Sequence, residues 1–320
     1  MRSSSSPSSA SSKSSTSRLP ERVLVTDGEC VELLQWALPR LRMRWAGFRK
    51  VRRQVCRRIE RRLLDLGLSD VAAYRAYLEA TPEEWQALDA LCHVTISRFY
   101  RDRGVFEFLE RSVLPELAAE SSARGAAVEA WSAGCASGEE PYTLVLVWEY
   151  AVRSLFPAVG LHVLATDADE TMIRRARAAS YGESSLRELP ELWRSRGFVR
   201  RGGRCHLRPR FRQPVTIERH DVRDSIQGGP YDLILSFRFL HRPLLKSIKE
   251  HLKPGGSLLL ETFTTLHRDR HGRPRSDEHI LQLGEAPSLV EGLEVRHFDE
   301  GWRGESHIAR LWATLPGPCP

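Results

Sequence analysis

The chain has 320 residues, 41% hydrophobic and 28% charged, with a formal net charge of +7. That composition excludes a disordered or fibrous polypeptide and suits one good-sized core plus a small second domain. No apolar run approaches the roughly 18 residues of a membrane span, and the six cysteines (Cys30, Cys56, Cys92, Cys135, Cys205, Cys319) form no C-x-x-C pair, so neither a disulfide framework nor a zinc site is expected. Such cysteine usage predicts a reduced, cytoplasmic protein.

Residues 1–20 are mostly serine and almost free of apolar side chains, which predicts a disordered tail. They fit a transit peptide only loosely, because no amphipathic pattern accompanies the serines. Residues 21–92 read as a small, basic, all-helical domain. Phe48, Val51, Val55, Ile59 and Leu63 recur at spacings of three and four, and Arg49, Arg52, Arg53, Arg57 and Arg61 occupy the other faces. Gly67 would end that helix. Shorter amphipathic helices follow over 70–78 and 82–91, the second opened by Thr81-Pro82-Glu83-Glu84 as cap, N1 proline and first-turn acids. From Arg40 to Arg62 eleven Lys/Arg face Glu60 alone. So lopsided a run favours an acidic partner over a merely solvated face. Nucleic acid is not favoured, since no aromatic residues interleave with the arginines.

Thr95-Ile-Ser-Arg-Phe-Tyr-Arg-Asp102 leads to a helix over 105–117 and then to a strand over 126–131. Next comes Trp131-Ser-Ala-Gly-Cys-Ala-Ser-Gly-Glu-Glu-Pro-Tyr-Thr143, a glycine-bearing turn opening a helix. Strand, turn and helix in that order form a cofactor-binding unit. The Gly134-x-x-x-Gly138 spacing is neither G-x-G-x-x-G nor a Walker loop, which argues against NAD and ATP. Glu139 and Glu140 are either helix-start acids or the hold for a positively charged cofactor. Residues 160–166 read as a second strand ending in Asp167, placed to accept hydrogen bonds from ribose hydroxyls. A helix over 170–179, an arginine-rich β-hairpin over 198–214, strands at 215–220 and 231–236, a turn leading into a strand over 252–264, and strands at 293–298 and 307–315 complete the pattern. No metal site is expected: His267, His271 and His279 are interleaved with arginines, and Gly272 and Pro274 break any helix that would align them.

Three blocks, Thr95–Asp102, Gly134–Thr143 and Ala165-Thr-Asp-Ala-Asp169, resemble the CheR family of methyltransferases, which use S-adenosylmethionine to methylate glutamate side chains of chemoreceptors. The resemblance covers about residues 45–235. It implies an α/β, class I methyltransferase fold: a doubly wound seven-stranded sheet over 93–320, with the all-helical N-terminal domain and the inserted hairpin. It also implies that Thr95, Ser97, Arg101, Gly134, Glu140, Asp167, Asp221, Val222 and Phe237 hold the cofactor, with Asp221 on the adenine amino group and Val222 against the ring. Thr95 and Ser97 are smaller than the family's residues at those places. The helical domain of the family faces acidic receptor helices, and the hairpin can contact the receptor.

After Ser236 the sequence departs from the family pattern. Phe237-Arg238 stands where Arg-Asn is expected, and Arg242 where a pocket-lining tyrosine is expected. From Phe239 onward the chain looks more like tellurite-resistance-type class I methyltransferases. The implied reaction is methyl transfer to a carboxylate, with Arg101, Arg238 and Arg242 orienting the acceptor. A glutamate is already ionised at neutral pH, so no general base is needed. Two alternatives stand: a class I methyltransferase for a small anionic molecule, and a non-catalytic S-adenosylmethionine-binding sensor.

Overall fold

The computed structural model describes residues 25–317 apart from 42, 44, 46–51, 93–96, 224 and 275. The expected serine-rich tail, Phe48 and Val51 of the apolar stripe, and Thr95 lie outside the described residues. The chain divides into two compact units, one through Ile96 and one from Ser97.

The first unit holds α1 (Asp27–Ala37), α2 (Arg52–Leu66), α3 (Val71–Ala80) and α4 (Glu84–Cys92). Thr26 and Glu29 form a reciprocal capping box at the start of α1, and Asp70 caps α3 through Ala73 N at 2.8 Å. Val55, Ile59 and Leu63 bury the i, i+4, i+8 stripe of α2 against Leu34, Tyr74 and Leu88. Gly67 follows the last turn of α2 at φ 68°, where a side chain would be strained. Two expectations are corrected. The helix expected to open on Thr81-Pro82 starts at Glu84, because the Glu84 side chain turns inward, 4% exposed, to meet Arg62 (2.7 and 3.0 Å) and Tyr74 Oη (2.9 Å). And Cys30 and Cys56 are joined as a disulfide that ties α1 to α2, a pairing that sequence spacing does not reveal because it depends on how the two helices pack. Arg53, Arg57 and Arg61 stay exposed along one line of α2 and make no ion pair among the described residues.

The second unit begins with α5 (Arg103–Phe108), which runs through a π-helical turn at Leu109–Val113 into α6 (Leu114–Arg124). Then follow β1 (Val128–Ala133), α7 (Glu139–Val147) with a second π-helical turn at Trp148–Val152, β2 (Leu161–Asp167), α8 (Glu170–Ala178), β3 (Ser180–Tyr181), α9 (Glu191–Gly197), β4 (Phe198–Arg201), β5 (Arg204–Leu207), α10 (Pro209–Arg212) and β6 (Val215–Arg219). The remainder is β7 (Tyr231–Phe237), α11 (Arg242–Ser247), β8 (Leu252–Phe263), α12 (Thr265–His271), β9 (Glu294–Arg303) and β10 (Ser306–Thr314). Seven strands form one sheet in the order β6-β2-β1-β7-β8-β10-β9, parallel except for β10, which is antiparallel to both neighbours. Strand order therefore reverses at β1, and the crevice beyond its carboxyl end is the natural ligand site of such a sheet. The arginine-rich hairpin is present as β4 and β5, extended by β3 into a separate three-stranded sheet. Cys205 and Leu207 point into the core, as their alternation requires. Among the described residues no helix is long and apolar enough to cross a membrane.

The bridge closes a loop of 26 residues, for which loss of loop-closure entropy contributes about 3 kcal/mol. Reductant should therefore lower the unfolding free energy of the helical unit by that amount, and its urea midpoint in proportion, read from the far-ultraviolet circular dichroism of the whole chain. A transition that reductant leaves in place would show that the bridge adds no stability.

Candidate cofactor and acceptor site

The crevice beyond β1 is built by its following loop. Gly134 N and Cys135 N both donate to Thr166 O of β2 (2.9 and 2.8 Å), which folds the chain back across the sheet end. Ala136 takes φ 48° and its N–H donates to Asp167 Oδ2 at 2.9 Å, while Asp169 N donates to Oδ1 at 2.9 Å. Each Asp167 oxygen keeps further acceptor capacity. Burial nonetheless outweighs these bonds and raises its pKa. Gly138 is at φ 90°, and an added Cβ there would lie 3.0–3.1 Å from Ala176, Tyr142 and Tyr181. Gly134, at φ 81°, has the Phe239 ring 3.6 Å from where its Cβ would be, so that ring covers the loop.

The two glutamates separate in role. Glu139 is 1% exposed and accepts from Ser137 Oγ at 2.7 Å, inside the loop itself. Glu140 accepts from Ser132 Oγ at 2.8 Å, and burial pushes its carboxyl up to about 8, against the opposing influence of Ser132. The Asp102 and Arg101 charges act on the same carboxyl in opposite directions, which places the 97–102 segment beside the loop. That segment is pinned by Phe99 N to Ser185 O (2.9 Å) and by Tyr100 N to Thr143 Oγ1 (3.0 Å). Tyr100 and Asp102 adopt φ 55° and 57°, sparsely populated for non-glycine residues.

Four charged side chains meet where β7, β8 and β10 reach this end of the sheet. Arg238, also left-handed at φ 56°, donates to both Asp102 oxygens (2.6 and 3.1 Å) and to Glu261 Oε1 at 3.4 Å. Arg310 binds Glu261 Oε2 through two nitrogens at 2.7 and 2.9 Å. Burial raises the Glu261 pKa despite both arginines, whereas at Asp102 burial, the largest single influence, is overcome by the Arg238 bond together with the charges of Arg238, Arg101 and Arg310, and the pKa is lowered. The Arg238 guanidinium also lies 4.2 Å over the Phe263 ring, and its Nη1 is buried without a hydrogen-bond partner. One edge of this guanidinium remains for an oxygen.

Arg242 does not share that property, which corrects the expectation that it orients an acceptor. Its nitrogens bind Glu285 (2.6 and 2.8 Å) and the carbonyls of Asp277 and Ile280 (both 2.9 Å), clamping the 277–285 loop. Asp221 lies near enough to Asp167 for their charges to interact, but its carboxylate is chelated by Arg223, which holds its pKa down to about 2. Val222 is buried at 8% exposure in the core on one side of the sheet. Phe237 meets Phe106 edge-on at 5.7 Å, and Ser97 is half-buried at the start of its segment. Gly134, Glu140, Asp167, Asp221 and Arg101 thus share the crevice, with Arg238 in contact through Asp102. Sequence reasoning missed Asp102, Glu261, Arg310 and Phe239 as parts of this site. A signal existed for two of them: Glu261 and Arg310 interrupt the apolar runs of β8 and β10, and a charge in such a strand needs a partner. Among the described residues no group of three or more His, Cys, Asp or Glu could hold a metal ion.

The buried quartet gives a direct test. Arg310→Ala leaves Glu261, 2% exposed in its side chain, with only the longer Arg238 contact, and should cost about 3–5 kcal/mol in denaturant unfolding. Glu261→Leu with Arg310→Met, which removes both charges, should cost much less.

Comparison with known proteins agrees with this geometry. The family described as "CheR methyltransferase, SAM binding domain" matches residues 95–271, and "CheR methyltransferase, all-alpha domain" matches 50–90. The first match runs past Ser236, through the stretch where the sequence pattern departs. A chemotaxis protein methyltransferase of Listeria monocytogenes is 31% identical over 179 residues, covering 53% of this chain and 65% of that protein. One from Salmonella typhimurium is 29% identical over 241 residues, covering 68% of this chain and 78% of that one. The chain thus spans just under two thirds of the Listeria relative. With the seven-stranded sheet, the loop beyond β1 and a family match over more than half its length, the chain belongs to the CheR methyltransferase family.

Proposed function

We propose that the chain transfers a methyl group from S-adenosylmethionine to a carboxylate, the glutamate side chain of an acidic, receptor-like protein. The observation that carries this reading is the pairing of two opposite holds at one crevice: the enclosed Glu140 carboxyl, and Arg101 with the buried, unpartnered Arg238 Nη1. The first suits a cofactor that is cationic at its ammonium and sulfonium. The second suits an anionic acceptor. The residues fit the cofactor: Gly134 and Ala136 bring backbone close, Asp167 retains acceptor capacity for ribose hydroxyls, and Glu140 has Ser132 as its hydrogen-bond partner. When bound, S-adenosylmethionine supplies an electrophilic methyl group.

What the protein contributes is orientation and desolvation rather than base catalysis. Arg238 is fixed by Asp102, Glu261 and the Phe263 ring, so an oxygen meeting Nη1 is held without reorganisation. Phe239 covers the loop and excludes water from one side. Arg53, Arg57 and Arg61 of α2, and Arg200, Arg201 and Arg204 at the hairpin tip, are exposed cations suited to an acidic protein surface. The family resemblance names chemoreceptors as such acceptors.

Two outcomes follow. Purified protein incubated with methyl-labelled S-adenosylmethionine and a lysate of its source cells should give a labelled protein band that releases methanol in alkali. Label confined to small soluble molecules would instead support the small-acceptor reading, and cofactor binding with no label would support the sensor reading. Separately, cofactor binding should depend on pH. Burial pushes the Glu140 carboxyl up to about 8, and it must be ionised to meet a cation, so affinity should be about tenfold lower at pH 7 than at pH 9, one pKa unit being a factor of ten. Glu140→Gln should bind more weakly and lose most of that dependence, as calorimetry at several pH values would show.

A further inference from the structure

Among the described residues five side-chain polar atoms are buried without a hydrogen-bond partner, and two of them, Arg238 Nη1 and His267 Nδ1, flank a single ring. The Arg238 guanidinium lies 4.2 Å from the centroid of Phe263, and the His267 ring lies 3.9 Å from it at an interplanar angle of 17°. Two flat groups so close to one centroid would overlap on the same face, so they take opposite faces. Phe263 ends β8 and His267 lies in α12, the helix that follows, so the chain itself brings the imidazole back over the ring. A buried polar atom left unpaired costs free energy, and native proteins retain few of them without a use.

The two orphans differ in charge. Arg238 is a cation, whereas His267 is held neutral: burial, then the charges of His271, Arg238 and His307, lower its pKa to about 4. A neutral imidazole can accept an N–H at Nδ1 or, in the other tautomer, donate to a carbonyl. It does not attract an anion, and the arginines nearest it in sequence are occupied, Arg268 by Asp277 and Arg270 by Glu305. The surroundings of Phe263 therefore offer one place for a carboxylate and one for an uncharged polar group. Rings continue outward from there. The exposed His271 lies 4.5 Å from His267 and donates from Nε2 to the Glu305 carbonyl at 2.6 Å, and beyond it Trp302 is 41% exposed. That row leads from the acceptor side of the crevice to the surface.

Resting on the carboxylate-methylation reading, we infer that His267 is a further acceptor-recognition residue, which holds the main-chain peptide group of the glutamate whose carboxylate meets Arg238. A glutamate within a polypeptide carries both groups, separated by its methylenes and Cα, and can reach past the edge of one ring to satisfy an atom on each face. A short free acid satisfies Arg238 alone. A dicarboxylate would set its second anion beside a neutral imidazole. The flanking polypeptide would leave along His271 and Trp302.

The test uses the whole chain, methyl-labelled S-adenosylmethionine and two probes: N-acetylglutamate N-methylamide, which has the carboxylate and both peptide groups, and butyrate, which has the carboxylate alone. Methanol released by alkali measures transfer to each. The kcat/KM should be about tenfold higher for the capped glutamate, the worth of one good hydrogen bond. His267→Ala should remove most of that preference, and His267→Asn, whose amide stands close to the place of Nδ1, should keep it. The affinity of each variant for S-adenosylhomocysteine, read by calorimetry, reports an intact crevice. In the nitrogen magnetic resonance spectrum of the histidine side chains, the His267 Nδ1 signal should move when the capped glutamate is added. Equal or better transfer to butyrate, a preference that His267→Ala leaves in place or His267→Asn loses, or an unmoved Nδ1 signal overturns the role of His267 and leaves carboxylate methylation standing. Transfer to neither probe overturns both.

Discussion

A buried carboxylate, Glu261, a half-buried one, Asp102, and two guanidiniums, Arg238 and Arg310, form the constraint on which the crevice depends. Glu261 could not be ionised so far from water without a cation in contact, and neither arginine could be held without the acids. The pairing therefore fixes several chain segments at once: the ends of β7 and β8, the middle of β10, and the segment leading into α5. Three residues in this region, Tyr100, Asp102 and Arg238, carry left-handed backbone that costs energy in isolation. The ion pairs and the Phe263 ring make that conformation the one in which every charge is answered. The cost is about a few kcal/mol in all, and the bonds offset it.

The same crevice is organised from its other side by a single carbonyl. Thr166 O receives two successive amides of the loop after β1, and Asp167, the next residue, receives a third. Parallel register between β1 and β2 runs from Val128 with Leu161 to Ala133 with Thr166, so the strand carries Asp167 to the place where the loop turns. Strand order, pleat and turn thus deliver a carboxylate and a row of N–H groups to one point. The buried Glu139, bonded within the loop, leaves Glu140 as the acid at the mouth. Adjacent residues on one helix face different ways, and this is how a Gly-Glu-Glu run divides between structure and binding.

Much of this was legible in the sequence because it rests on local rules. The glycine spacing, the apolar strand before it and the acid at the end of the second strand are short-range patterns, and each element formed within a few residues of its expected bounds. The stripe of Val55, Ile59 and Leu63 gave the helix face for the same reason. What could not be read depends on which distant segments meet. Arg242 looked like a spare cation until the 277–285 loop was seen to occupy its nitrogens, and Arg238 looked like its equal until Asp102 and Glu261 were found around it. Glu84 reads as a helix-start acid by position, yet Arg62 and Tyr74, 22 and 10 residues away, draw it inward. Cys30 and Cys56 pair only because two helices pack side by side.

That pairing divides the molecule's response to oxidants. In the catalytic-fold unit, Cys135 sits inside the loop against the crevice and Cys205 in the small sheet, both buried. Burial drives the Cys135 thiol far above its ordinary pKa, so at neutral pH it is almost entirely the unreactive, protonated form. Cys92 is buried as well, with its thiol pushed up to about 12. Among the described residues the cysteines held as a disulfide are Cys30 and Cys56. A change in ambient thiol poise alters how firmly the arginine-bearing helix is tethered and leaves the buried, protonated Cys135 in the loop after β1 chemically untouched.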